Sequence, residues 1–72
     1  MKTRVQIKPI DGEPILDKRF NDESDADRFI MDVTKVEDDN IIYSTEYKML
    51  VIIKQVIFND DWIEVSRDFI TK

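Results

Sequence analysis

Carboxylates are the only groups in this sequence with acid–base chemistry to offer near neutral pH. Sixteen Asp and Glu residues stand against eleven Lys and Arg, with no histidine and no cysteine. That removes imidazole catalysis, thiol chemistry and the usual zinc ligands together. Glu64 and Asp68 could act as an acid–base pair, but both are expected on an open strand surface, and 72 residues leave little bulk to enclose a pocket. The adjacent acids Asp38-Asp39 and Asp60-Asp61 lack the spacing and the glycine of a calcium loop. No Gly-rich phosphate loop is present, nor a nucleophile with a base at motif spacing. The expectation is a binding protein with no catalytic residue, no metal and no cofactor.

The acids are unevenly spread. Residues 22–39 hold Asp22, Glu23, Asp25, Asp27, Asp32, Glu37, Asp38 and Asp39 against only Arg28 and Lys35. This one stretch therefore accounts for the net charge of −5, and the rest of the chain is close to neutral. As a binding surface it would dock on a basic surface of a larger protein, standing in for the phosphates of a nucleic acid. As helix chemistry it needs no partner, because carboxylates in a first turn suit the helix dipole. Two further candidates for partner contact are Trp62, the only tryptophan, beside the turn at Asn59-Asp60-Asp61, and Met31, flanked by charge.

The elements that must carry these residues can be read from periodicity. Residues 47–58, YKMLVIIKQVIF, form the longest apolar run, and its β-branched residues favour a strand. A strand apolar on both faces needs cover on both. The face bearing Met49, Val51, Ile53 and Ile57 has no evident cover within so short a chain, so it is expected to be a self-association surface, in a homodimer by default. Residues 2–20 read as a hairpin about a type I′ turn at Asp11-Gly12, pairing Ile7 with Leu16 and Thr3 with Phe20. Val5, Ile7, Leu16 and Phe20 then share one face, and Arg4, Gln6, Asp17 and Arg19 the other.

Residues 24–37 read as the single helix, with Ala26, Phe29, Ile30, Val33 and Val36 as its apolar stripe and Ser24 or Asp22 as its cap. A final strand over residues 62–70, closing Phe58 on Ile63, sets Val56 against Val65 and Ile52 against Phe69. That register also sets Lys54 against Arg67, a like-charge conflict.

The fold expected is α+β: a small antiparallel β-sheet in ββαββ order, with room for one extra short strand near residues 41–43, and one amphipathic helix packed on one face. Residues 1–72 are read as a single domain. No apolar run reaches the length of a membrane span, and the start MKTRVQIK has no apolar signal core, so a cytoplasmic protein with no membrane partner is expected. Abundant Ile, Lys and Asp with scarce Ala and Gly suggest an AT-rich bacterial, phage or plasmid source.

The leading functional expectation is a small acidic, non-enzymatic protein–protein interaction protein. It would be an inhibitor or modulator of the phage or mobile-element type, covering a basic surface of a larger host protein. The alternative is an assembly protein joined through its apolar sheet face. A second alternative is a nucleic-acid-binding regulator using Arg4, Lys8, Arg19, Lys48 and Lys54, disfavoured by the overall charge.

Overall fold

The computed structural model describes residues 2–35 and 46–71. Four antiparallel strands and one helix follow the order β1 (Thr3–Pro9), β2 (Leu16–Phe20), α1 (Glu23–Thr34), β3 (Met49–Phe58) and β4 (Asp61–Thr71). The sheet order is β2-β1-β3-β4, so two sequence-local hairpins join through β1 and β3 at the centre. The fold is the expected α+β arrangement. Among the described residues, no helix is long and apolar enough to cross a membrane. The expected short strand near residues 41–43 lies outside the described residues, as do Val36, Glu37, Asp38 and Asp39.

The first hairpin has the expected register, Thr3↔Phe20 through Ile7↔Leu16, but not the expected turn. No glycine takes positive φ, so Asp11-Gly12 is not a type I′ turn. The strands stop at Pro9 and Leu16, and Ile15 N–H donates to Ile7 O at 2.8 Å to close a wider loop. Gly12 is required there by close approach: a Cβ on it would lie 2.7 Å from Pro9 Cγ. The true type I′ turn lies in the second hairpin. Asn59 and Asp60 adopt φ of 51° and 65°, joining Phe58 directly to Asp61. Asn and Asp tolerate this left-handed region better than other side-chain-bearing residues do.

That two-residue turn shifts the expected pairing of β3 with β4. Phe58 pairs with Asp61 rather than closing on Ile63, and a bulge leaves Val65 unpaired between Ser66, opposite Lys54, and Glu64, opposite Gln55. Past the bulge Val51 faces Phe69 and Ile52 faces Asp68. Phe69, expected opposite Ile52, therefore lies on the side away from the helix, and Arg67 no longer confronts Lys54. A one-residue slip moves every side chain to the other face.

The helix begins one residue earlier than expected. Asp22, in extended conformation, is the N-cap, its Oδ1 accepting from Ser24 N–H at 3.0 Å. Its carboxyl is held below the ordinary carboxylate range, chiefly by that backbone bond. The helix ends at Thr34, so Lys35 caps it from outside rather than lying in its last turn. Ala26 and Val33 bury against Val5, Ile7, Leu50 and Ile52, with Phe20, Phe29, Ile30 and Ile70 packed around them. Full burial of side chains of this size stabilises by roughly 1.5–3 kcal/mol each. The helix rests mainly on β1, β2 and β3, so most of β4 lies beyond it.

Candidate functional site

Alternation along the strands gives the sheet two chemically different sides. On the side away from the helix, β1 presents Arg4, Gln6 and Lys8, β2 presents Asp17 and Arg19, and β4 presents Trp62, Glu64, Arg67 and Phe69. The central strand supplies Met49, Val51, Ile53, Gln55 and Ile57. The expected open apolar face is closed at its centre: Val51 and Ile53 retain only 2% and 5% exposure. Both sit in register between long neighbours, Lys8 and Gln6 on one strand and Phe69 and Arg67 on the other. Met49 is exposed and Ile57 half-buried, so the four residues proposed from sequence for self-association do not make a continuous surface.

The helix side carries its charges in pairs. Lys54, mostly buried, donates to Glu23 Oε1 at 2.9 Å and Asp27 Oδ1 at 2.8 Å. These two hydrogen bonds, that to Asp27 first, hold its ammonium above the ordinary lysine value against the opposing effect of burial. Lys18, the other lysine beside Val5, lies over the rings of Phe20 and Phe29 at 5.4 and 5.0 Å. The rings themselves are 5.4 Å apart and tilted by 45°. Lys35 approaches Asp32 at 3.6 Å.

Of the acids singled out in the sequence, Asp22 therefore caps, Glu23 and Asp27 bind Lys54, and Asp32 meets Lys35, while Asp25 projects from the first turn. They share one helix, yet much of their charge is answered within the chain. Met31 is exposed on α1, as expected.

Among the described residues, α1 leaves the hairpin end of β4 exposed. Phe58, Ile63 and Val65 at the β3–β4 hairpin retain 59%, 42% and 49% exposure. Ile63 opposes Val56 and Phe58 opposes Asp61, so Phe58 and Ile63 are diagonal neighbours on the helix side. Asp60 in the turn and Asp61 at the start of β4 edge them with negative charge. Val65, expected opposite Val56, is instead the bulged residue, and Ile63 takes its place.

At the same end of the other side, Trp62 gathers cations. The Arg4 and Arg19 guanidinium carbons lie 4.9 and 5.7 Å from its ring centre. Arg4 Nε also donates to Gln55 Oε1 at 2.8 Å. Lys2, Arg19, Phe20, Asn21, Ile57 and Trp62 line a cavity of about 300 Å³. A second hollow of about 430 Å³ lies between Pro9, Ile10, Asp11, Gly12, Tyr47 and Met49. Glu64 and Asp68, the carboxylates weighed as a pair, fall on opposite sides of the sheet, and Glu64 is bound instead by Arg67 at 2.7 Å. That contact pulls the Glu64 carboxyl down and the guanidinium up. Among the described residues no group of three or more His, Cys, Asp or Glu could hold a metal ion.

Comparison of the chain with protein-family models, with curated proteins and with solved structures returns no match in any of the three.

Proposed function

We propose that this chain is a non-enzymatic binding protein that docks the bare margin of its helix side on a basic surface of a larger protein, as an inhibitor or modulator would. The observation that carries this reading is the exposure of Phe58, Ile63 and Val65 where α1 fails to reach β4. Apolar surface grouped on one edge of a small protein is the usual mark of a contact. Its border of Asp60 and Asp61, with Asp25 projecting from the neighbouring helix, suits a partner rich in Lys and Arg. The acidic helix contributes long-range attraction, while the apolar margin contributes the desolvated contact where hot spots concentrate.

The test is retention of a basic partner from the source cells on immobilised chain, compared with Ile63→Glu, Phe58→Ser and Asp61→Asn. Because residues 58 and 63 are exposed, the variants should keep the wild-type circular dichroism spectrum. Ile63→Glu and Phe58→Ser should each weaken retention by about tenfold or more, the signature of hot-spot residues. Asp61→Asn should weaken it at low salt only. A partner held equally well by wild type, Ile63→Glu and Phe58→Ser would sink this reading, as would finding no partner at all.

A further inference from the structure

Arg4 and Arg19 stand directly opposite each other on β1 and β2. Like charges in that position repel across the strand pair. The chain has sixteen carboxylates, yet among the described residues neither arginine is given one: the ion pairs go to Lys35, Lys54 and Arg67. Gln55 fixes the Arg4 guanidinium by accepting from it, and the Trp62 ring draws both guanidiniums together. Lys2, just before β1, joins Arg19 at the rim of the 300 Å³ cavity. Three cations are thus collected at one end of the sheet in a protein of net charge −5. A bound anion would relieve the repulsion.

The remaining walls define what that anion is carried on. Phe20, Ile57 and Trp62 are apolar or aromatic, and the Asn21 side chain is a donor and acceptor able to meet a polar ring edge. The volume is at the lower limit for small-molecule sites, about 300 Å³. Guanidinium forks match phosphate oxygens in pairs, and aromatic walls take planar rings. We infer that Lys2, Arg19 and Trp62, with Arg4 held over the same indole ring by Gln55, form a binding site for a phosphate ester carried on a planar base, that is, a nucleotide, free or within a single strand. Arg19 and Trp62 of the site face away from the helix and Phe20 closes it at the sheet end, whereas Phe58 and Ile63 face the helix, so this inference stands or falls independently of the docking reading.

Trp62 is the only tryptophan, so its emission reports on the site directly. The full chain is titrated at low salt with adenosine monophosphate, a short oligothymidylate, adenosine, inorganic phosphate and citrate, and again as Arg19→Gln and as Lys2→Gln. The expected result is a saturable change in Trp62 emission with the monophosphate or the oligonucleotide, and markedly weaker effects from adenosine, phosphate and citrate. Arg19→Gln should weaken it about tenfold, the effect of losing a charge-assisted contact.

Saturation by the monophosphate identifies a free nucleotide as the source, and saturation by the oligonucleotide alone identifies a strand. No saturable change with either overturns the inference. So does equal binding of citrate, or affinity unchanged in Arg19→Gln. If Arg19→Gln fails to fold, Lys2→Gln, which lies outside the strands, decides in its place by the same criterion.

Discussion

The ammonium of Lys54 on β3 sits 2.8 Å from Asp27 Oδ1 and 2.9 Å from Glu23 Oε1 on the helix, the two carboxylates one helical turn apart. One largely buried cation thus bridges the sheet to the first half of α1. Lys54→Met keeps the stem and removes the bridge. It is expected to cost about 1–2 kcal/mol, below the value for a fully buried pair because both acids remain half in water. The matching fall in melting temperature is roughly 7–13 °C.

The raised value of Lys54 also sets a pH dependence. A group whose value rises on folding contributes its full stability below its unfolded value, here the ordinary lysine value of 10.5, and loses it as pH climbs past the folded value. Wild type and Lys54→Met should therefore differ in stability at neutral pH and converge at strongly alkaline pH. A constant difference across that range, followed by denaturant titration, would contradict the bridge.

Asp60 carries a left-handed backbone with φ of 65° that glycine adopts at no steric cost. Asp60→Gly should stabilise the β3–β4 hairpin by about 0.5–1 kcal/mol, and Asp60→Ala should destabilise it by a similar amount. Opposite signs in the two melting temperatures check the turn assignment.

At Gly12 the constraint is space, because the added Cβ would meet Pro9 Cγ at 2.7 Å. Gly12→Ala should cost about 1 kcal/mol. In Pro9→Ala the ring is gone, and the same substitution should then be close to neutral. A double-mutant cycle on urea midpoints reads the coupling directly.

Ile53 and Phe69 share one side of the sheet at 5% and 60% exposure. Ile53→Ala should cost about 2–4 kcal/mol and Phe69→Ala less than about 1 kcal/mol. Comparable losses at both would mean that this side is buried differently from what its exposures indicate.

Much of the fold was legible because alternation and helical spacing report faces. Val5, Ile7, Leu16 and Phe20 were assigned to the core side of the first hairpin with the right partners, and Ala26, Phe29, Ile30 and Val33 to the helix stripe. What failed were single-residue events. An Asp-Gly pair favours a tight turn in isolation, but Pro9 packs on Gly12 and the loop opens out. The bulge at Val65 and the two-residue turn at Asn59-Asp60 shift β4 in ways that no hydrophobic pattern encodes.

The site was legible only in fragments. Trp62, Arg4 and Arg19 were each marked from the sequence, but the strand order that brings residues 4, 19 and 62 to one end of the sheet leaves no local signal. The double-sided apolar character of residues 51–53 correctly indicated burial on both faces.

One consequence of the two-sided sheet concerns motion in solution. The side away from the helix bears Arg4, Lys8, Arg19 and Arg67 against Asp17 and Glu64, with Lys2 at its end, while α1 and its cap bear five carboxylates against Arg28 and Lys35, two of the five answered by Lys54 from the sheet. The sheet thus lies between an acidic helix and a cationic face. A molecule built this way rotates in an external field before it touches anything. A cationic surface meets the helix first and an anionic one meets the strands first, so the two sides recruit from different populations of encounters and need not compete for the same one.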